Sequence, residues 1–179
     1  VLGRIHKEKQ EARGPEDMSL DSYMDDAIKK VYVKYEAGLR AANAVDFEDL
    51  ILRVVRIVEA DDRAAPEVKE ARDALLRKFD FVLVDEFQDT NATQYRLLKA
   101  LASRTRNLCV VGDDDQSIYK WRGADIRNIR GFKKDYPDAQ VVKLEQNYRS
   151  TARIVSAALG VIAPSRDREP KELWTENED

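Results

Sequence analysis

Two short apolar runs, each ending in acidic residues, constrain this 179-residue chain more than any other feature. Residues 81–84, Phe-Val-Leu-Val, run into Asp85-Glu86-Phe87-Gln88-Asp89-Thr90-Asn91. Residues 108–111, Leu-Cys-Val-Val, run into Gly112-Asp113-Asp114-Asp115-Gln116. Apolar runs of this length, rich in β-branched residues and stopped by polar clusters, read as strands. A helical pattern (Tyr95, Leu97, Leu98, Leu101) lies between them. A second helix over 124–136 leads to a third strand candidate at 140–144, and a last helix runs from Ser150 or Thr151 to about Ile162. Short continuous strands alternating with helices predict an α/β fold built on a parallel sheet covered on both faces.

The first 80 residues read as helical scaffold. Residues 1–20 are polar and broken at Gly14-Pro15. Tyr23, Ala27, Ile28, Val31, Tyr35 and Leu39 recur at helical spacing over 21–42. Asp46 suits an N-cap for a helix whose apolar face is Phe47, Leu50, Ile51, Val54, Val55 and Val58. Another helix starts at Pro66. The tail after Pro164 is polar and reads as loosely held.

Composition excludes several kinds of chemistry. Cys109 is the single cysteine, so no internal disulfide and no cysteine-type zinc site can form. Its apolar neighbours predict a core residue, and a lone thiol suits a reducing cytoplasm, the expected location. His6 is the only histidine, which argues against histidine-based acid/base catalysis. No apolar run approaches the roughly 20 residues that span a bilayer, so no membrane partner is expected. A net charge of −3 argues against binding nucleic acid by bulk charge, but not against a local groove that holds single strands by stacking.

In open parallel sheets, ligands gather outside the carboxyl ends of the strands. Both acidic clusters sit there. A carboxylate that helps hold hydrated Mg²⁺, beside a second that positions the attacking water, is what nucleotide hydrolysis requires. Taken in isolation, Asp85-Glu86 is equally the product of a solvated loop. Tyr119 and Trp121 follow the second cluster, interleaved with Lys120 and Arg122, a combination that suits base stacking with phosphates nearby. At i and i+2 of an extended segment, both rings would point the same way. Gln146-Asn147-Tyr148-Arg149-Ser150 adds an arginine placed to reach a terminal phosphate.

Together these segments resemble the motifs of the UvrD/Rep/PcrA group of superfamily 1 DNA helicases. Residues 81–91 resemble the Walker B element, motif II; residues 110–124 look like motif III; residues 144–150 look like motif IV. Residues 46–51, Asp-Phe-Glu-Asp-Leu-Ile, are similar to the helix start that precedes motif II in that group. The likeness covers roughly residues 20–175, in family order. It implies a partial RecA-like P-loop NTPase motor with ATP and Mg²⁺ as cofactors. Asp85 would hold the metal and Glu86 would activate water. Gln116 would sense the γ-phosphate, and Gln88 and Asp89 would couple the loop to DNA. Tyr148 and Arg149 would contact ATP. Tyr119 and Trp121, supported by Arg122, would stack on single-stranded DNA. Lys120 stands where the group usually has glycine, and a lysine suits a DNA groove electrostatically.

By the same resemblance, residues 1–42 are the remnant of an inserted helical subdomain. Residues 43–145 are the partial ATPase domain, and residues 146–179 are the hinge, a helix and the start of a second motor domain. The parent activity would be 3′→5′ movement on single-stranded DNA and unwinding at duplex junctions, in repair or replication. The chain contains no G-x-x-x-x-G-K-[ST] phosphate loop, since no lysine is followed by serine or threonine. It therefore reads as an internal piece of a longer protein, inactive as an ATPase by itself. Two alternatives remain: the motor part of a helicase-nuclease, and a fragment that retains only a binding surface.

Overall fold

A computed structural model describes residues 1–165 and 171–178. Strands β1 (Val82–Val84) and β2 (Leu108–Val110) pair in parallel, with Val82 opposite Leu108, Leu83 opposite Cys109 and Val84 opposite Val110. Helix α5 (Ala92–Ala102) makes the crossover between them and packs against β1. Its start is fixed by a capping box in which Asn91 Oδ1 accepts from Gln94 N and Gln94 Oε1 accepts from Asn91 N, both at 2.9 Å. Among the described residues the sheet has these two strands.

Alternation along the strands half-buries Val82, Val84, Leu108 and Val110 on one face. It turns Leu83 (77% exposed) and Cys109 outward on the other. The expectation of a sheet covered on both faces, with Cys109 in the core, is therefore corrected. Residues 140–144 form no strand either. Val141, Val142 and Leu144 are exposed, and among the described residues no neighbouring strand pairs with this run, so water rather than a ladder satisfies its backbone. Among the described residues an isolated parallel bridge follows instead, between Gln146 and Trp174.

The scaffold is helical. Helix α1 (Leu2–Gln10) precedes the Gly14-Pro15 break, and α2 (Tyr23–Ala41) starts at Ser22, whose Oγ accepts from Asp25 N at 3.2 Å. Helix α3 (Phe47–Val58) starts at Asp46, whose Oδ1 accepts from Asp49 N at 2.8 Å. Helix α4 (Pro66–Lys78) begins on its proline. Helices α1, α3 and α5 pack together, with Ile5, Leu52, Val55, Val58 and Ala102 buried. Two inward faces differ from the periodicity reading. Tyr32 is the buried aromatic of α2, while Tyr23 is exposed. On α3 the inner face is Asp49, Leu52, Val55 and Val58, so Phe47 and Leu50 turn outward. Helix α6 (Arg127–Asp135) and helix α7 (Ala152–Ile162) complete the order. The polar tail expected beyond Pro164 falls partly on residues 166–170 and 179, outside the described residues.

The polar N-terminus folds as a helix because its charges are buried in pairs. Lys9 Nζ, fully buried, ion-pairs with Glu36 (2.6 Å) on α2, Asp46 (2.7 Å) at the α3 cap and Asp49 (2.9 Å) on α3. Tyr35 donates to Asp46 at 3.0 Å, and the Lys9 carbonyl accepts from Thr93 Oγ1 on α5 at 2.8 Å. One lysine thus joins four helices, three through its ammonium and the fourth through its carbonyl. Burial by itself would lower the Lys9 pKa, but the three carboxylates hold it raised. Burial likewise opposes ionisation of Asp46, yet Lys9 and the Asp49 N–H keep its carboxyl below the ordinary range.

Removing the cation would leave carboxylates facing one another in a closed space. Lys9→Met should cost about 3–5 kcal/mol in urea unfolding near pH 7. The stability from the depressed Asp46 carboxyl is present above about pH 4 and is lost as pH falls. The contribution of the raised Lys9 is present below its unfolded pKa near 10.5 and is lost only as pH rises through its folded value. The gap between wild type and Lys9→Met should therefore be flat from about pH 5 to 9 and narrow towards pH 3 as the carboxylates protonate. A gap that widens on acidification would contradict this.

Candidate functional site

The parallel register brings both acidic loops to one end of the sheet. Val111 N donates to Val84 O (2.7 Å) and Phe87 N donates to Val111 O (2.9 Å), which carries the ladder past the strand ends. Phe87 is completely buried and makes edge contacts with Tyr95 on α5 and Phe132 on α6, ring centres 5.6 Å apart in each case. Asn128 on α6 donates to Thr90 O at 3.0 Å. The loop after β1 is thus clamped between two helices.

Between these anchors, Glu86 takes a left-handed conformation (φ 50°, ψ 42°) that a side chain other than glycine adopts only under constraint. The turn exposes Asp85 and Glu86. Asp85 Oδ1 accepts from Glu86 N at 2.9 Å. Asp89 Oδ1 is buried without a hydrogen-bond partner among the described residues, and burial, then the Glu86 charge, raises its carboxyl above the ordinary range.

Gln88 joins the two loops. Its side chain is buried, its Nε2 donates to Glu86 Oε2 (2.7 Å), and its Oε1 accepts from Asp113 N (3.0 Å). Gly112 lets the second loop come this close, because a Cβ there would lie 2.8 Å from Gln88 Oε1 and 3.3 Å from Gln88 N. Beyond it, Asp113 accepts from Gln116 Nε2 (2.8 Å) and Asp115 N (3.0 Å). Burial alone would raise the Asp113 carboxyl, but the Lys171 ammonium, then the Gln116 amide and the Asp115 N–H, hold it below the usual range. Asp85, Glu86, Gln88, Asp113 and Gln116 therefore form one connected cluster. Tyr148 and Arg149 stand to one side, exposed. Tyr148 donates to Gln146 Oε1 at 2.6 Å, and the turn holding both is set by Asn147 Oδ1, which accepts from Arg149 N at 2.9 Å and from Ser150 N at 2.7 Å.

The second loop leads directly to the aromatic pair. Residues Lys120–Arg122 form a single 3₁₀ turn rather than an extended segment, so alternation is not what aligns Tyr119 with Trp121. The rings are neighbours at 6.3 Å, and the Arg122 guanidinium lies over both, 5.3 Å from Tyr119 and 4.8 Å from Trp121. The turn closes at Gly123 (φ 87°), which lies against Gln10. Trp121 is 74% exposed and faces a cleft of about 960 Å³ lined also by His6, Lys7, Phe47, Lys120 and Arg122. Phe47, 86% exposed, is the site residue that periodicity misplaced. No sequence pattern signals this direction, because Phe47 counts as apolar in any periodicity.

A family model for the UvrD/REP helicase N-terminal domain matches residues 2–137. The chain belongs to the UvrD/REP helicase family. It is 49% identical over its whole length to the ATP-dependent DNA helicase PcrA of Bacillus subtilis strain 168, of which it covers 24%. It is 47% identical to the protein of the same name from Staphylococcus aureus strain Mu50 and 45% identical to that from Staphylococcus epidermidis, over 98% of this chain in each case. The chain spans about a quarter of the length of these relatives. Within the UvrD/REP match lie both carboxylate loops and the aromatic turn, whereas Tyr148, Arg149 and Lys171 lie beyond it.

The strained turn at Glu86 gives a direct check. Glu86→Ala and Glu86→Gly both delete the carboxylate, but only glycine is at ease at φ 50°. Glu86→Gly should be more stable than Glu86→Ala by about 1 kcal/mol in urea unfolding, the reverse of the usual order. Equal stabilities would show the turn to be unstrained.

Proposed function

We propose that this chain is part of a RecA-like motor of an ATP-dependent DNA helicase, moving 3′→5′ on single-stranded DNA and opening duplex junctions in repair or replication. The observation that carries the reading is the covalent and hydrogen-bonded continuity from the Asp85–Glu86 turn, through Gln88 and the 113–116 turn, to a cleft of exposed aromatics and cations. The names of the relatives, ATP-dependent DNA helicases, support the same reading.

Oxygen donors at a strand end fit Mg²⁺, which prefers hard carboxylate and water ligands. Asp85, exposed and with one oxygen engaged by a backbone N–H, would hold it. Bound there, Mg²⁺ would offset the charge of the phosphates. Glu86, oriented by Gln88, accepts a proton from the attacking water, and Gln116 turns from Asp113 towards the γ-phosphate. Asp89 and Gln88 carry the change towards the DNA side. Tyr148 stacks on adenine and Arg149 contacts the terminal phosphate. In the same reading residues 1–42 are the remnant of a helical subdomain, 43–145 the ATPase domain, and 146–179 the hinge and the start of a second motor domain. The work is cytoplasmic. The chain by itself turns over no ATP, because its sequence contains no phosphate-binding loop.

Single-strand binding is testable on this chain. Trp121→Ala should weaken binding of an oligothymidylate by about 1–3 kcal/mol, seen as a rise in Kd of roughly 5- to 150-fold by fluorescence anisotropy. Because the indole is exposed, the same change should alter stability by no more than about 0.5 kcal/mol. Unchanged affinity in a folded variant would remove the stacking role.

A further inference from the structure

Residues 171–177 return to the strand ends from the far end of the chain. Trp174 N donates to Glu145 O (3.0 Å), Asn147 N donates to Trp174 O (2.7 Å), Glu172 N donates to Glu145 Oε1 (2.9 Å), and Thr175 Oγ1 donates to Ser150 O (3.0 Å). The returning segment is thus bonded along residues 145–150, which carry Tyr148 and Arg149. At its start, Lys171 Nζ ion-pairs with Asp113 and lies 3.3 Å from both Asp114 Oδ1 and Asp115 Oδ2.

We infer that Lys171 is a positioning residue, whose ammonium fixes the 113–116 turn, and with it Gln116, relative to the segment that carries Tyr148 and Arg149. Three carboxylates follow one another in sequence and converge within 4.8 Å, where they repel unless a cation lies among them. Among the described residues, Lys171 brings an ammonium to all three from within the chain. Its side chain is 18% exposed and the side chains of Asp114 and Asp115 are more enclosed still, so water screens these two pairs poorly, while Asp113 keeps more contact with solvent. An ammonium is a compact charge with three donors, able to serve several carboxylates at once. The connection continues inward without a gap. Asp113 accepts from Gln116 Nε2 and its N–H donates to Gln88 Oε1, while Gln88 donates to Glu86. Lys171 is therefore the point at which the proposed hydrolytic loop and the proposed adenine and phosphate contacts meet.

The assignment of roles rests on the functional reading above, but the tether is measurable without nucleotide or DNA. Amide hydrogen exchange followed by NMR on this chain reads it directly. In Lys171→Met, the amides of Asp115, Gln116, Asn147 and Trp174 should exchange together about tenfold faster, while those of α3 and α5 keep their wild-type rates. Lys171→Arg, which keeps the charge, should stay within about twofold of wild type. Asp113→Asn should reproduce the Lys171→Met pattern, and the double variant should be no faster than either single one. Should Lys171→Met not fold, Asp113→Asn carries the test. Unchanged exchange at Asp115 and Gln116, acceleration confined to one side of the contact, Lys171→Arg rates as fast as Lys171→Met, or multiplying effects in the double variant would each overturn the inference. No ATP or DNA enters the measurement, so a failed ATP-site reading and a failed tether give different results.

Discussion

The arrangement of this chain depends on one buried amide. Gln88 donates to Glu86 and accepts from Asp113 N, and so ties two loops that leave neighbouring strands. A carboxylate turn by itself is a solvated loop end. Joined through a buried side chain, which would lose a hydrogen bond in a closed environment if either loop moved, the two turns become one unit. The rest of the local structure serves this contact. Phe87 is locked between α5 and α6, Gly112 leaves room for the amide, and the left-handed turn at Glu86 is held by the ladder bonds on either side.

Strain and flexibility are distributed accordingly. The non-glycine residue held at positive φ within the loop is Glu86, for which we propose the hydrolytic role, and the packing around it over-determines the turn. A second anchor is Lys9, on the helix that packs against α3 and α5. It fixes the cap of α3 through Asp46, and the next residue, Phe47, is the aromatic that lines the cleft with Trp121. A fully buried charge, Lys9, thus stands behind the exposed Phe47.

Much of this was legible in the sequence. The two strands, their acidic ends, the cap at Asp46, the start at Pro66 and the pairing of aromatics with cations over 119–122 all follow from local patterns. What escaped reading depends on tertiary pairing. Helix α1 carries Lys9 inward, and no periodicity argument puts a charge in a core when its partners lie about 30 to 40 residues away. Phe47 counts as apolar in any pattern, so its outward direction is invisible until Leu52 and Val55 are seen to take the inner face. Residues 140–144 have the composition of a strand but no neighbour to pair with, and Leu83 and Cys109 have the composition of a core but nothing over them among the described residues. Composition states a tendency, and the partner decides it.

The most direct test of the central contact is a double-mutant cycle between Gln88→Ala and Gly112→Ala, followed by urea unfolding. A Cβ at Gly112 would press on the Gln88 amide at 2.8 Å, so Gly112→Ala should be costly in the wild-type background and much cheaper once Gln88 is truncated. The account predicts a coupling of at least about 1 kcal/mol between the two sites. Additivity within about 0.3–0.5 kcal/mol would show that the two loops hold their positions independently of Gln88, and would contradict the account.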